Sequence, residues 1–463
     1  MLFGKHILKY REEILKDLKE LISIPSCAVC DFKNTKNPYG KQCRIALDWI
    51  LKKGEDFGFL TKNIDGYAGH CEYGNGKDYC AVLSHIDVVP AGENWSSDPF
   101  VLTQKEKRLF ARGVVDDKGP ALASLYCLKV LKDLKILGKR RIRVIFGSGE
   151  ECGMEDMRVY FSCENFPDMA FTPDSQYGIC NREKGILNFE LTSKFSESRI
   201  KKFQSGTVAN AVPGSAFAIL DVSEKEFCEI LNLAKNLSLS FEHRKLKNFF
   251  EIKVLGVSAH ASCPEKGKNA SLLLLNLLYE FFKDNSEFWK EKQLHRFLIE
   301  LVGFEINGNS LSISCSDSES GKLTLNVGVL DIENSQITTK IDIRYPVTYN
   351  SESIVNVIKE KAKEFNSTFS LNVDSRPINV ESNSLLVKTL SDAYYAVIGE
   401  KPLILSSSGG SYARVLEGRG VSFGPVFPFE ETNIHNADES IDTEKFFLHS
   451  QICLEAMKRM MEA

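Results

Sequence analysis

Five short polar clusters in this sequence carry side chains that could bind metal ions or transfer protons. The most unusual is G-S-G-E-E-C-G, in which Glu150 and Glu151 follow the apolar run R-I-R-V-I-F. Adjacent carboxylates repel each other, and such a pair most often lies in a solvated turn. Neighbouring side chains at the end of a strand point apart, however, so the two glutamates could serve different functions.

Two further clusters combine a histidine or a second acidic pair with a strand-like segment. In S-H-I-D-V-V-P, His85 and Asp87 lie two residues apart and therefore point the same way. A histidine held by a carboxylate is a common metal ligand, but a surface His beside a surface Asp is an equally open interpretation. In A-R-G-V-V-D-D-K-G-P, Asp116 and Asp117 lie between glycines, and such a pair alone is more often a helix N-cap.

The last two clusters are F-T-P-D-S, which carries Asp174, and N-I-H-N-A-D-E, which carries His435 and Glu439. Together the clusters offer two imidazoles and several carboxylates, and none places a cysteine in a ligand pattern. Mixed nitrogen and oxygen ligation suits Zn, Mn or Co rather than an iron–sulfur or thiolate site. The isolated C-A-V-C at Cys27 and Cys30 has no partner pair, so a metal or redox role is the minority interpretation there.

The segments before these clusters predict the elements that position them. Y-C-A-V-L-S-H and I-R-V-I-F are apolar on both faces, and a helix with one apolar side lies between them. Continuous apolar strands that alternate with helices predict an α/β fold, with a largely parallel sheet covered by helices on both faces. Ligands of such sheets collect in the loops at the carboxyl ends of the strands, where these clusters lie.

The hydrophobic pattern divides the chain into domains. After N-R-E-K-G the strands alternate, and I-T-T-K-I-D-I-R places Asp342 and Arg344 on a face that we expect to be wet. The α/β pattern returns through S-L-L-V-K-T-L-S-D-A-Y-Y-A-V. We therefore predict a catalytic domain from residues 1–182 and 381–463, and an inserted α+β domain over residues 183–380.

Size and charge narrow the classes of function. The 463 residues are ample for two or more domains. Lys plus Arg number 58 and Asp plus Glu 62, so a net charge near −4 gives no basic field for nucleic acid. The N-terminus lacks the apolar stretch of a signal peptide, and the most apolar run, residues 270–282, is too short to cross a membrane. Thirteen cysteines, an odd number, indicate free thiols, and we expect a cytoplasmic protein without nucleic-acid or membrane partners.

The order and spacing of the motifs resemble one enzyme superfamily along almost the whole chain. The matching motifs are, in order, S-H-I-D-V-V-P-A-G with W-S-S-D-P-F, A-R-G-V-V-D-D-K-G-P, G-S-G-E-E-C-G, T-P-D, N-A-V-P, G-V-S-A-H-A-S-C-P-E-K-G-K-N-A, D-I-R-Y-P-V, S-G-G-S-Y-A-R and I-H-N-A-D-E. The sequence resembles the dinuclear metallopeptidases, which include aminoacylases, carnosinases, desuccinylases and PepV-type dipeptidases, and it is most similar to the PepV type. The resemblance implies a phosphorylase/hydrolase-like catalytic domain with an inserted lid domain.

The resemblance also implies a site for two divalent metal ions, with zinc favoured over manganese or cobalt. In the family pattern, Asp116 bridges the two ions. The other implied ligands are His85 and Asp174 for one ion, and Glu151 and His435 for the other. Asp87 would hold the His85 ring, Glu150 would be the general base, and the Asp116–Asp117 peptide would be cis.

These implied roles describe the hydrolysis of a peptide bond. Two cations about 3.5–4 Å apart can share a water and lower its pKa towards neutrality. The hydroxide between the metals would attack the peptide carbonyl. Glu150 would take the proton of the water and deliver it to the leaving amine.

Substrate contacts are implied by the inserted domain and by a glycine-rich segment. His260 and Asn210 match residues that contact the oxyanion in the family. Arg344 is suited to a bidentate grip on a substrate carboxylate, although an ordinary surface arginine is the alternative. Gly409 and Gly410 in S-S-S-G-G-S-Y would line the substrate cleft, unless they form only a flexible turn.

The sequence leaves three functions open. The first is a metal-dependent dipeptidase for dipeptides or short peptides with a free C-terminal carboxylate. An N-acyl amino-acid deacylase or desuccinylase would share every catalytic residue. A catalytically inactive peptide-binding protein is disfavoured, because the five ligands and the base are all present. We expect a monomer, because the long inserted domain could supply contacts that smaller relatives obtain across a dimer.

One position departs from the family pattern. Gly149 stands where the relatives usually carry an aspartate, directly before the glutamate pair. The change removes neither a ligand nor the base, but we expect it to alter the pKa values of its neighbours.

Overall fold

The computed structural model describes residues 2–33, 36–194, 199–283, 300–301 and 303–463. The chain forms two compact units. The first consists of Met1–Arg182, Ile378–Ser406 and Gly410–Ala463, and the second of Glu183–Pro377 and Ser407–Gly409. The chain of the second unit is therefore inserted into that of the first.

The α-helices are α1 (Arg11–Ile22), α2 (Lys41–Asp56), α3 (Lys118–Asp133), α4 (Glu155–Cys163), α5 (Glu224–Asn236), α6 (Ala270–Phe282), α7 (Ser351–Glu364), α8 (Leu385–Ile398) and α9 (Thr443–Glu462). Shorter 3₁₀ helices cover Phe3–Tyr10, Glu150–Cys152, Pro264–Lys266 and Tyr412–Leu416.

The strands of the first segment are β1 (Leu60–Ile64), β2 (Ala68–Tyr73), β3 (Tyr79–His85), β4 (Thr103–Lys105), β5 (Arg108–Phe110), β6 (Arg141–Gly147), β7 (Met169–Thr172), β8 (Ser175–Gln176) and β9 (Ile179–Glu183). Those of the insert are β10 (Gly185–Lys194), β11 (Ile200–Ser205), β12 (Ser215–Leu220), β13 (Ser240–Lys245), β14 (Phe250–Leu255), β15 (Ser316–Asp317), β16 (Gly321–Lys322), β17 (Thr324–Glu333), β18 (Gln336–Tyr345) and β19 (Thr368–Ser375). The last strands are β20 (Ile378–Asn379), β21 (Ile404–Ser407), β22 (Gly420–Ser422), β23 (Pro425–Val426) and β24 (Ser440–Asp442).

A mixed sheet forms the centre of the first unit, in the order β1-β2-β6-β3-β7-β22-β9-β20, with β21 beside β9. The central strands β6, β3, β7 and β22 run parallel to one another. On one side β1 and β2 pair antiparallel, and on the other β9 pairs antiparallel with β22. The predicted α/β fold is confirmed, and the strands that precede three of the polar clusters lie side by side in its parallel part.

Helices cover both faces of this sheet. Cys80 and Val82 of β3 belong to a large core that α1, α3 and α9 complete. Ala81 and Leu83 point to the opposite face, where they share a second core with Met157 of α4. This alternation explains why the strand is apolar at every position.

Helix α3 carries much of the larger core and begins directly after the Asp116–Asp117 pair. Its apolar residues, including Ala121, Leu125 and Leu128, are fully buried. Full burial of each leucine stabilises the fold by roughly 1.5–3 kcal/mol. The start of this helix is therefore anchored firmly beside the acidic pair.

The second unit is built on an eight-stranded sheet in the order β13-β14-β12-β11-β17-β18-β10-β19. All its paired strands run antiparallel. Leu187, Phe189 and Leu191 of β10 alternate into a core to which α5, α6 and α7 contribute. The predicted α+β character of the insert is confirmed, and the apolar run 270–282 is the buried helix α6.

The expectation of a wet face on β18 is wrong at the end of the strand. Asp342 and Arg344 are buried, with 0% and 4% of their surfaces exposed. Their opposite charges neutralise each other, which allows both to leave water. Among the described residues, every helix is either too short or too polar to span a bilayer.

Candidate metal centre

Three parallel strands deliver candidate ligands to one edge of the first sheet. β3 ends at His85, which pairs in register with Gly147 at the end of β6. The Glu150–Cys152 turn follows β6, and Asp174 follows β7. Because parallel strands share their carboxyl edge, these side chains converge there, as the sequence predicted.

The side chains at this edge form two groups that share one carboxylate. His85 Nε2 lies 2.9 Å from Asp116 Oδ1 and 4.0 Å from Asp174 Oδ2. His435 Nε2 lies 2.9 Å from Asp116 Oδ2 and 3.1 Å from Glu151 Oε1. In each group, the potential ligand atoms all lie within 4.8 Å of one another. Asp116 therefore offers one oxygen to each group, which is the arrangement of a bridging ligand.

His85 provides the observation that tests whether a cation fits. Its Nδ1 lies 3.0 Å from the backbone carbonyl of Asp87, which can only accept, so Nδ1 carries a proton. In the neutral ring Nε2 then presents a lone pair, and it faces Asp116 without the geometry of a hydrogen bond. A buried lone pair that faces carboxylate oxygens is unfavourable unless a proton or a metal cation lies between them. The donor set fits a divalent ion with nitrogen and oxygen ligands.

The pKa values of the site show an excess of negative charge. Burial, followed by neighbouring carboxylates, raises the pKa of Asp174 to about 7 and that of Glu150 well above its ordinary range. Burial also opposes ionisation of Asp116, but the adjacent imidazoles of His435 and His85 outweigh this effect and lower its pKa. Bonds to carboxylates raise the pKa of His435 to about 11. The site therefore favours bound positive charge.

Asp87 has a broader structural role than the sequence predicted. Its Oδ1 lies 3.4 Å from Nδ1 of His85, consistent with the expected support of that ring. Its two oxygens also accept hydrogen bonds from the backbone amides of Glu150 (3.3 Å) and Glu151 (3.1 Å). One buried carboxylate therefore fixes both a candidate ligand and the turn that carries the glutamate pair.

The Asp116–Asp117 peptide is cis, as predicted. Asp117 occupies the N-cap position of α3, but its side chain makes no capping hydrogen bond. Its Oδ2 instead accepts a hydrogen bond from the backbone amide of His85 at 3.1 Å. The N-cap interpretation of this acidic pair is therefore wrong for the side chain of Asp117.

A neighbouring aromatic ring leaves no room for a side chain at Gly149. Its φ of −151° is negative, so no left-handed backbone conformation demands glycine, but a Cβ there would lie 2.2 Å from Cε1 of Tyr39. The ring of Tyr39 is buried, with 1% of its surface exposed. The space that an aspartate at this position would need is thus filled by a side chain from another segment.

Two residues that the sequence analysis missed hold the same turn. Oδ2 of Asp156 accepts a hydrogen bond from the amide of Gly149 at 2.8 Å, and the hydroxyl of Tyr412 donates to the same carboxylate. Burial raises the pKa of Asp156 to about 7. An aspartate in the first turn of a helix is common because it complements the helix dipole, so the sequence gives no signal of this contact.

In the second unit, Asn210 and His260 are brought together. The carbonyl of Asn210 accepts a hydrogen bond from Ala261 at 2.9 Å, and a β-bridge pairs Ala211 with His260. The amide of Ser262, which can only donate, lies 3.1 Å from Nδ1 of His260. In the neutral ring, the proton is therefore on Nε2, which can act as a donor.

Arg344 is engaged within its own unit. Its Nε and Nη2 donate to the two oxygens of Asp342 at 2.7 and 3.0 Å, and Nη1 donates to the carbonyl of Ser408 at 3.0 Å. The alternative interpretation of Arg344 as an ordinary surface arginine is wrong, because these partners hold the guanidinium in a buried place. Two of its five N–H donors are not used by these bonds.

The two glycines of S-S-S-G-G-S-Y differ in their surroundings. The amide of Gly409 donates to Oγ of Ser407 at 2.9 Å. A Cβ on Gly410 would lie 2.6 Å from Nε of Arg414. Neither residue has a positive φ, and Nε of Arg414 belongs to a flexible side chain, so these surroundings alone do not require glycine at either position.

Comparison with known proteins assigns the chain to a family. A family model described as peptidase family M20/M25/M40 matches residues 81–459. The chain belongs to this family. The predicted membership of the dinuclear metallopeptidase superfamily is therefore confirmed, and the protein is a hydrolase that acts on peptide bonds. M20 metallopeptidases use divalent metal ions, which agrees with the two ligand groups described above.

Relatives of similar length support the assignment. This M20 peptidase is 35% identical over 464 residues to "Putative dipeptidase YtjP" of Bacillus subtilis (strain 168), across 97% of this chain and 98% of the relative. It is 31% identical over 465 residues to "Putative dipeptidase SSP1012" of Staphylococcus saprophyticus, across 98% of each chain. The solved structure of human carnosine dipeptidase 1 has a TM-score of 0.62 at 13% identity, covering 99% of this chain and 98% of that one. The last comparison shows that the fold is shared.

Proposed function

We propose that this M20 peptidase is a metal-dependent dipeptidase, which hydrolyses dipeptides or short peptides that end in a free carboxylate. The proposal depends on one observation: two ligand groups share Asp116, while Glu150 lies beside Glu151 but outside both groups. The names of the two bacterial relatives support the substrate class.

The ligand groups define which residues would hold the ions. His85, Asp116 and Asp174 would hold one ion, and Asp116, Glu151 and His435 the other. When bound, the two ions would lower the pKa of a water molecule and polarise the substrate carbonyl. Mixed imidazole and carboxylate ligation suits zinc, manganese and cobalt alike, and of these we propose zinc, which the family resemblance favours.

Glu150 is proposed to move the proton. Asp87 holds the backbone amides of Glu150 and Glu151, so the base stays in a fixed place beside a ligand. Burial and nearby carboxylates raise the pKa of Glu150, and positive charge in the two groups would lower it towards the working pH. It would then accept the proton of the attacking water and deliver it to the leaving amine.

The second unit is proposed to supply substrate contacts. Asn210 and His260 would donate hydrogen bonds to the oxyanion, which the protonated Nε2 of His260 allows. Arg344 would bind the substrate carboxylate with its remaining donors, while Asp342 fixes the plane of its guanidinium. Gly409 and Gly410 would line the substrate cleft in this scheme.

A substrate panel tests the proposal. The purified protein, supplied with Zn²⁺ or Mn²⁺, should hydrolyse dipeptides faster than the N-acetyl and N-succinyl amino acids built from the same residues. A Glu150→Gln protein purified in the same way controls for contaminating peptidases. Hydrolysis restricted to the acylated compounds would reject the dipeptidase in favour of a deacylase. Turnover of neither set with both ions bound would indicate a peptide-binding protein instead.

A further inference from the structure

Glu439 belongs to the same motif as the candidate ligand His435, but the proposed mechanism assigns it no role. Its side chain is fully buried. Oε1 accepts hydrogen bonds from the backbone amides of Val115 at 2.9 Å and Asp116 at 3.2 Å. Oε2 accepts from the amide of Gly113 at 3.0 Å and from Nη1 of Arg112 at 2.7 Å. This carboxylate therefore holds the stretch of backbone that leads to the shared ligand.

Arg112 extends these contacts to another segment. It is 1% exposed, and its Nη2 donates to the carbonyls of Ala91 at 3.3 Å and Pro90 at 3.5 Å. Its guanidinium lies 5.2 Å from the ring centroid of Trp95, and the indole of Trp95 also donates to Ala91, at 2.7 Å. Arg112 is thus attached to the last residue of S-H-I-D-V-V-P and to the residue after it.

The buried pair connects three parts of the chain that carry candidate ligands. Arg112 contacts the residues that follow His85, Glu439 binds the amides before Asp116, and Glu439 itself lies four residues after His435. We infer that Arg112 and Glu439 are a positioning pair, which sets the spacing of the two ligand groups. The inference rests on the proposed function for the role of those ligands.

The chemistry of the contacts requires a carboxylate rather than a group of similar size. An ionised carboxylate is an acceptor on both oxygens, and all four of its partners here are donors. A glutamine would turn an amide N–H₂ towards at least one of these donors. An apolar residue would leave three buried backbone amides without these acceptors.

Glu430 provides a matched control on the same segment. Its side chain is also buried, and it accepts a hydrogen bond from the amide of Asp442 at 3.0 Å. Its oxygens lie 3.5 Å from Nζ of Lys445 and 3.8 Å from Nη1 of Arg108. None of these partners is a candidate ligand or directly precedes one in the chain.

The test is calorimetric titration of the metal-stripped, full-length protein with Zn²⁺ or Mn²⁺ alone. Glu439→Gln should weaken the binding of at least one ion by about 10- to 100-fold, the usual effect of losing a residue that orients ligands. Glu430→Gln should bind both ions as the wild type does, even if its unfolding midpoint falls. Equal weakening in the two variants, or none in Glu439→Gln, would overturn the inference.

Arg112→Lys is a second variant that keeps the charge opposite Glu439. It should fold, but a lysine lacks the fork that reaches the carbonyls of Pro90 and Ala91 together with Glu439. We expect weaker metal binding and a lower kcat with little change in KM. A folded Arg112→Lys protein with unchanged metal affinity would contradict the inference. Because the titration needs no substrate, this result is independent of whether dipeptides are hydrolysed.

Discussion

At the scale of single residues, substitutions of the two adjacent glutamates should have different effects. Glu151 belongs to a ligand group, whereas Glu150 does not. Glu150→Gln should lower kcat by about 10²–10⁴-fold, the usual contribution of a general base, with metal content preserved. Glu151→Gln should instead lose metal, because an amide is a weaker ligand than a carboxylate. Metal analysis and kcat, measured on the same preparations, check both outcomes, and equal metal loss in the two variants would contradict the division of roles.

Asp156 should give the protein a measurable dependence of stability on pH. Burial raises its pKa from 3.8 to about 7, so the folded state keeps a proton that the unfolded state releases. As pH rises from about 4 to 7, this group therefore lowers the free energy of unfolding, by about 1.4 kcal/mol per pKa unit at most. Above pH 7 the penalty is complete, and below pH 4 it is absent.

Urea denaturation of the wild type and Asp156→Asn at several pH values measures this effect. The asparagine cannot ionise, so its curve should lack the part of the slope between pH 4 and 7 that Asp156 causes. Every other titrating group is common to both proteins and cancels in the difference. Parallel curves would show that Asp156 does not carry a raised pKa in the folded state.

At the scale of elements, the sequence predicted the strands that position the site but not every partner. β3, β6 and β7 were recognisable because each is a short apolar run followed by polar residues with metal-binding side chains. The burial of Arg344 could not be predicted. An alternating pattern shows on which side of a strand a residue lies, but it does not show what covers that side. The contact between Asp156 and Tyr412 was not predicted for a related reason, because the two residues are 256 positions apart in the sequence.

The turn after β6 should not accommodate an aspartate at position 149. Gly149→Asp would place a Cβ 2.2 Å from the ring of Tyr39, so one of the two segments must move. Overpacking of this kind usually costs about 1–3 kcal/mol, which a shift of the urea midpoint would reveal. Tyr39→Ala in the Gly149→Asp background should recover part of the loss relative to the sum of the single changes. Strict additivity of the two changes would indicate that the ring is not the obstacle.

At the scale of the whole molecule, the two units use different physical solutions to bury their sheets. The parallel strands of the first unit are covered on both faces and are continuously apolar. The antiparallel strands of the second alternate, as in β10, because its helices contribute to one core. This contrast in period is visible in the sequence, which is why the change of pattern near N-R-E-K-G was recognisable without a structure.

The edge strand β13 is protected from pairing with a second chain, whereas the opposite edge strand β19 exposes Leu371 and Val373. β13 lies at one end of the second sheet and exposes Glu242, His243, Arg244 and Lys245. Charged side chains on an edge strand discourage pairing with another chain. We predict a monomer, so light scattering should give a mass of 52.0 kDa. A mass twice as large would contradict the prediction.

Removal of these charges should allow the edge strand β13 to pair with a second chain. We expect a variant with threonine at Glu242, Arg244 and Lys245 to show a mass that rises with concentration, because threonine favours strands and no longer repels a second edge. The matched control replaces Lys225, Glu229 and Lys235, which are exposed on α5, with threonine. That variant removes the same charges from the same unit without altering an edge strand, so it should stay monomeric. Association of both variants would attribute the effect to net charge rather than to strand pairing.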